Sequence, residues 1–190
     1  ASMMDEDLVN IIKLRNQPAA ARRAAPKWRQ TLDIADWLST QMPAGSQFQM
    51  YAFNTEAHSL LADSDGKWQD AADPKRLAEA IDHLRGLTPE GGTRLLNAYA
   101  AIRSLSPLPD QVVLVTDGLP TQGKDRPTRR FVNVAQRSRL FEEAQKSLPG
   151  NVPVDVILLP MQGDLPAPHM FWTLARATGG NFMMPAADWP

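Results

Sequence analysis

One short run of residues constrains the fold of this chain more than any other feature. Residues 111–116, Gln-Val-Val-Leu-Val-Thr, are almost continuously apolar and end at the turn signal Asp117-Gly118. A strand covered by helices on both faces has this continuous pattern, whereas a strand with one solvated face alternates. Residues 154–159 form a second run of the same kind. The two runs predict buried strands of a mainly parallel sheet.

Helical patterns alternate with these strands. Apolar residues recur at helical spacing in six segments, which predict helices over residues 8–12, 28–42, 74–87, 95–105, 131–148 and 169–178. Asp5 is the predicted N-cap of the first helix, and residues 16–26 form an insertion or a short helix. Further strands are predicted over 48–53, 57–62 and 181–184. The first two of these are expected to pair with each other as a hairpin. This order predicts a single α/β domain, 1–190, with helices on both sides of the sheet.

Composition excludes several function classes. The chain of 190 residues has 43% hydrophobic residues, enough for one sizeable core, and a formal net charge of −1, which does not favour a nucleic-acid partner. It contains no cysteine, so disulfides, thiolate metal sites and cysteine nucleophiles are excluded. No apolar run approaches the roughly 20 residues that span a bilayer.

Three oxygen-bearing residues predict a cation site. Ligands of such sheets gather at the carboxyl ends of the strands, where Asp117 follows the first apolar run. Thr93, after two glycines, can supply a hydroxyl, and Ser2 can supply another if the chain start lies nearby. Mg²⁺ takes oxygen ligands and keeps several waters, so one carboxylate with hydroxyls is a suitable donor set.

Four motifs, spread over nearly the whole chain, carry a family resemblance. Residues 112–118 resemble the fourth-strand motif of von Willebrand factor type A domains, and residues 91–95, Gly-Gly-Thr-Arg-Leu, resemble their threonine loop. Residues 178–182 are similar to their closing helix and strand, and residues 51–54 to their second strand. The resemblance implies a three-layer, Rossmann-like fold of the bacterial type.

The resemblance also implies a metal-ion-dependent adhesion site. The family uses an Asp-x-Ser-x-Ser loop after its first, central strand, followed by a threonine and an aspartate. The start Ala1-Ser2 looks like the end of that loop, so Ser2, Thr93 and Asp117 are the expected ligands of Mg²⁺, or of Mn²⁺ or Ca²⁺. The first strand and the start of the loop are expected to lie upstream of residue 1. We therefore expect this chain alone to hold the ion poorly or not at all.

Simpler interpretations exist for each candidate. Asp117 can be an ordinary Asp-Gly turn, Thr93 can be the N-cap of the helix over 94–105, and Ser2 can be a disordered terminal residue. The acidic residues at 5–7 are better explained by the helix dipole than by metal binding. A basic run is either a solvated face or a surface for an acidic partner or an anionic membrane; it comprises Lys124, Arg126, Arg129, Arg130, Arg137 and Arg139.

The predicted function is a protein-binding module and not an enzyme. A partner's acidic side chain would complete the coordination of the cation, with contacts to Gly92, Gly118, Arg126 and Arg129. The alternatives are a metal-independent scaffold with a degenerate site and, less favoured, a metal-dependent phosphohydrolase using Asp117. The chain lacks the phosphate-cradling and nucleophile-elbow motifs of such enzymes. The family resemblance favours the bacterial cell envelope over the cytoplasm, with membrane association through an upstream segment.

Overall fold

The computed structural model describes residues 1–43, 45–125, 132–186 and 188–190. Within these ranges the chain forms a 3₁₀ turn (Ser2–Met4) and seven α-helices: α1 (Leu8–Arg15), α2 (Ala19–Arg23), α3 (Pro26–Thr40), α4 (Pro74–Gly86), α5 (Leu95–Arg103), α6 (Val134–Gln145) and α7 (Ala167–Thr178). The strands of the described ranges are β1 (Gln47–Phe48), β2 (Tyr51–Phe53), β3 (Ala57–Ser59), β4 (Gln69–Asp70), β5 (Val112–Thr116), β6 (Val154–Leu158) and β7 (Phe182–Met183).

The parallel sheet predicted from the two apolar runs is present. Strand β5 pairs with β6, and β6 pairs with β7, all in parallel, with Thr116 opposite Leu158 and Val156 opposite Phe182. The carboxyl ends of β5 and β6 therefore lie side by side. No strand in the described ranges pairs with the other edge of β5, where Val113 is 41% exposed.

Helices cover both faces of this sheet. Val156 packs in a core with helices α5, α6 and α7, whose central aromatic pair is Phe141 and Phe171, with ring centroids 4.9 Å apart. The next residue along β6, Ile157, packs on the opposite face against Ile34 of α3. This alternation confirms a three-layer α/β fold. Among the described residues, no helix is both long and apolar enough to cross a membrane.

The predicted strand over 48–53 is interrupted, which corrects that expectation. Gln49 turns its side chain onto the backbone, accepting from Met50 N at 2.8 Å and donating to Lys67 O at 2.9 Å. The ladder breaks there because these bonds from the side chain to the backbone compete with strand pairing. β1 pairs instead with β4, a strand that the sequence did not predict, while β2 pairs antiparallel with β3 as the predicted hairpin.

The structure corrects the predicted cap at Asp5, rules out the alternative cap role of Thr93, and confirms the predicted start of the helix at residue 74. The N-cap of α1 is Asp7, which accepts from Val9 N at 2.7 Å, and not Asp5. The N-cap of α5 is Arg94, without a side-chain cap, so Thr93 does not have that role. α4 begins at Pro74, as the predicted helix over 74–87 does, and Asp73 caps it by accepting from Lys75 N at 2.9 Å and Arg76 N at 3.3 Å.

Removing the cap of α4 should measurably weaken the fold. We expect Asp73→Ala to lower the free energy of unfolding by about 1 kcal/mol, because two backbone N–H groups lose their acceptor. Urea unfolding followed by circular dichroism measures the change. Asp33→Ala, on the exposed face of α3, is the control and should leave stability unchanged or slightly raised. Equal losses in both variants would contradict the capping role.

Candidate functional site

Asp117 lies at the carboxyl end of β5, as the sequence predicts, but its carboxylate is buried. The residue is 4% exposed, and its Oδ2 atom has no hydrogen-bond partner among the described residues. Leu159 N donates to Thr116 O at 2.8 Å, which holds the end of β6 beside it. An ionised carboxylate in such surroundings needs a nearby positive charge.

A buried lysine supplies that charge. Lys27, the second residue of α3, places its Nζ atom 3.6 Å from Asp117 Oδ2, and each side chain is only 4% exposed. The same Nζ donates to Ser2 O at 3.1 Å. Burial lowers the pKa of Lys27, while the negative charge of Asp117 acts in the opposite direction. Nothing in the sequence pattern marks Lys27 as part of this site.

The first residues of the chain also lie beside Lys27 and Asp117. Ala1 N donates to Gly91 O at 2.9 Å, and Met4 is fully buried. The 3₁₀ turn thus lies between the glycine loop and Lys27, which contacts both Ser2 and Asp117. We call this surface the rim: the carboxyl ends of β5 and β6, residues 91–94 and the 3₁₀ turn. In the rim the chain start lies near Asp117, which is the condition under which Ser2 could share a site with it. A role of Ser2 in metal binding stays a prediction.

The loop carrying Thr93 is tied to the loop after β5. Thr93 N donates to Thr121 Oγ1 at 2.9 Å, and Thr93 O accepts from Thr121 N at 2.9 Å and from Gln122 N at 3.0 Å. A Cβ atom on Gly92 would lie 2.8 Å from Thr121 Oγ1, so close loop packing requires glycine there. A contact of Gly92 with a partner stays a prediction. Thr121, which sequence reasoning missed, lies in the loop after β5 and holds Thr93 of the rim in place.

A second buried carboxylate fixes the turn after Asp117. Asp164 Oδ2 accepts from Leu119 N at 2.7 Å and from Arg137 Nη2 at 2.8 Å, and Arg137 Nε donates to Leu119 O at 3.2 Å. We call these three residues the Asp164 clamp. Burial raises the pKa of Asp164, with Asp117 adding to the rise and both Leu119 N and Arg137 opposing it.

The Asp164 clamp gives structural roles to two residues that the sequence had linked to partner binding or to a basic face, Gly118 and Arg137. A Cβ atom on Gly118 would overlap Asp164 Oδ2, which explains the glycine by packing. Gly118 is buried in this conformation, and its contact with a partner stays a prediction. Arg137 belongs to the clamp and not to a solvated basic face, which corrects that part of the basic run. Arg126 and Arg129, the predicted partner contacts, lie outside the described residues.

The described residues do not fit a divalent cation well. Two buried oxygens, Asp117 Oδ2 and Asp164 Oδ1, lack hydrogen-bond partners and could in principle serve a cation. However, the ammonium of Lys27 already stands 3.6 Å from Asp117 Oδ2 and would repel a second positive ion. No three acidic, histidine or cysteine side chains come together in the described ranges, so a cation there would depend on hydroxyl and water oxygens beside Asp117.

An open cavity adjoins the chain start. Its volume is about 390 Å³, and its lining includes Ala1, Arg15, Arg22, Asn54 and Gly91. Arg22 Nη1 pairs with Glu90 Oε2 at 2.9 Å, while its Nε atom is buried without an acceptor among the described residues. Guanidinium groups and an amide are suitable donors for a carboxylate.

The fold and this rim define a class: a three-layer α/β domain with a buried carboxylate at the carboxyl edge of a parallel sheet. Among solved structures, the chain is similar to a von Willebrand factor type A protein from Catenulispora acidiphila, with a TM-score of 0.64 and 18% sequence identity. The similarity covers 89% of this chain and 37% of the other, so this chain spans well under half of that protein's length. No family model and no curated protein matches the sequence. The chain therefore has the von Willebrand factor type A fold that its motifs predicted.

Proposed function

We propose that this chain is a protein-binding module that receives an acidic side chain of a partner at the rim. A binding module, and not an enzyme, is what the motif resemblance to von Willebrand factor type A domains implies for a chain with this fold. The observation that carries the proposal is the cavity of about 390 Å³ beside the chain start, which presents Arg15 and Arg22 next to Gly91. Arg15, the last residue of α1, is exposed and available to a carboxylate.

The electrostatics of the cavity favour an anionic group of modest size. Arg22 is partly neutralised by Glu90, so an incoming carboxylate meets one solvated guanidinium at Arg15 and a second, partly exposed guanidinium at Arg22 that already pairs with Glu90. Bidentate pairing with a carboxylate adds both energy and geometric specificity. Asn54, at the end of β2, adds an amide to the same lining.

A cation-mediated form of this function remains an alternative. In that form Mg²⁺, Mn²⁺ or Ca²⁺ at Ser2, Thr93 and Asp117 would receive the partner's carboxylate. The unpartnered Asp117 Oδ2 atom supports it, and Lys27 opposes it. The cation-independent form is favoured by Lys27. A phosphohydrolase using Asp117 gains no support from the site, because the carboxylate is buried against that lysine.

Peptide selection tests the proposal without a known partner. A displayed library of random peptides is selected against the immobilised chain, and affinities of the enriched peptides are measured by fluorescence anisotropy. We expect each binder to contain an Asp or Glu whose amide replacement abolishes binding. Arg15→Glu should weaken binding at least about tenfold, since a favourable charge pair becomes a like-charge contact.

The matched control is Arg103→Glu, at the end of α5 that lies away from the rim and beside a different cavity. It makes the same charge change and should leave affinity within about twofold, because screening removes distant surface charges. Binders without acidic residues, or equal losses in the two variants, would refute an acidic-partner site at the rim. Repeating the assay with chelator and with Mg²⁺ separates the two forms of the function.

A further inference from the structure

We infer that the ammonium group of Lys27 takes the place beside Asp117 that a divalent cation was predicted to occupy, so that the rim carries its counter-ion within the chain. This inference deepens the proposed function by making partner binding independent of divalent cations. Only the statement that partner binding is independent of divalent cations rests on the proposed function. The ion pair itself stands on the geometry of the two side chains.

Lys27 is the cationic side chain that the described residues place within salt-bridge distance of Asp117, and the amino group of Ala1 adds a weaker attraction. The Nζ to Oδ2 distance of 3.6 Å is too long for a good hydrogen bond but within the roughly 4 Å range of an ion pair, and both side chains are 4% exposed. The salt bridges of the described residues give Asp117 no other cation. Removing one partner from a buried pair leaves an uncompensated charge, which is strongly destabilising.

The position of Lys27 is set by the start of α3. Pro26 occupies the first turn, and Thr31 Oγ1 donates to Lys27 O at 2.9 Å one turn further on. Trp28 and Ile34 are buried on the same helix, which anchors its face against the core. The lysine side chain therefore leaves a fixed backbone and reaches the ends of β5 and the 3₁₀ turn together.

The second carboxylate near the rim is also balanced internally. Asp164 is paired with Arg137 at 2.8 Å and is not free to serve as a cation ligand without breaking the clamp. The described rim therefore matches each buried carboxylate with one buried or half-buried cationic side chain. A divalent ion would add two positive charges to a neutral arrangement and would have to displace Lys27 from Asp117.

A double-mutant cycle tests the ion pair. Thermal unfolding is measured for the intact chain, Lys27→Met, Asp117→Asn and the double variant, with Lys75→Met on the exposed face of α4 as the control. We expect Lys27→Met to lower the melting temperature by about 10 °C, whereas the double variant should recover most of that loss. Lys75→Met should change it by less than about 2 °C. Should Lys27→Met fail to fold, a folded double variant supports the pairing; losses that simply add overturn it.

A titration with Mn²⁺ tests whether the Lys27 ammonium occupies the place of a divalent cation beside Asp117. Isothermal calorimetry and electron paramagnetic resonance are applied to the intact chain with MnCl₂ alone. We expect no saturable binding at millimolar Mn²⁺ and no rise in melting temperature. Saturable binding of Mn²⁺ that Asp117→Asn abolishes would overturn the inference.

The peptide assay separates this inference from the proposed function. Binding of acidic peptides that is unchanged by chelator supports both. Binding that requires Mg²⁺ contradicts the role of Lys27 but preserves the binding function. Failure to select any acidic peptide removes the proposed function, while the unfolding cycle and the Mn²⁺ titration still decide the role of Lys27.

Discussion

Replacing Arg137 by methionine is expected to lower the free energy of unfolding by about 3–5 kcal/mol, because it leaves a buried carboxylate without its cation. The Asp164 side chain is 1% exposed and pairs with Arg137 Nη2 at 2.8 Å. The variant also loses the bond from Arg137 Nε to Leu119 O. Urea unfolding monitored by tryptophan fluorescence gives the change. Hydrogen exchange should show the turn after Asp117 opening at lower free energy than in the parent chain.

Arg139→Met is the matched control for this prediction. Arg139 lies on the same helix, two positions further on, and is exposed. Its replacement should change stability by no more than about 0.5 kcal/mol. Adding Asp164→Asn to Arg137→Met should recover part of the loss, since the unpaired charge is then absent. A loss below about 1 kcal/mol in Arg137→Met would show that the clamp contributes little beyond a surface pair.

The second large effect is expected at Gly180, between α7 and β7. A Cβ atom there would overlap the carbonyl carbon and oxygen of Val154 and lie 2.9 Å from Asp155 N. These are backbone atoms of β6, so the clash cannot be relieved by rotating a side chain. We expect Gly180→Ala to cost about 3 kcal/mol or more, because β7 must shift from its partner strand.

Gly86→Ala controls for the loss of a glycine. Gly86 ends α4 and has no atom within 4 Å of an added Cβ, so alanine should be neutral or stabilise the chain by up to about 1 kcal/mol. Thermal unfolding of the two variants compares them directly. A Gly180→Ala variant as stable as Gly86→Ala would mean that the turn before β7 is not packed as closely as the structure has it.

The parallel sheet was predictable because its strands are buried on both faces. Residues 112–116 and 154–158 read as continuous apolar runs, and the glycine pair at 179–180 marked the end of α7. The strand pair β1 and β4 was not predictable, since each strand has two residues and no periodicity. The break at Gln49 depends on acceptors as distant in the chain as Lys67, which local patterns do not reveal.

The site was predictable only in part. Asp117 belongs to the turn signal that ends an apolar strand and Thr93 follows a glycine pair, so the places of these residues near the edge of the sheet were predictable, while their roles as ligands stay predictions. Lys27 and Arg137 resemble ordinary charged residues of solvated helix faces, which is the usual place for such side chains. Their burial depends on tertiary packing, and Asp164 lies in a loop without any recognisable motif. A family resemblance that implies a metal site indicates carboxylate ligands such as Asp117, but it does not indicate the cationic side chains of Lys27 and Arg137 beside them.

One edge of β5 is not paired with any described strand. The measured stability of this chain can therefore depend on protein concentration, because two copies can associate through that edge. An open parallel strand edge presents unpaired N–H and C=O groups to any other extended backbone, including that of a second copy. Val113, 41% exposed on this strand, adds apolar area to the same edge. Self-association of this kind would bury the edge and raise apparent stability without any change at Lys27 or Asp164. Parent and variant chains should therefore be compared at matched, low concentrations.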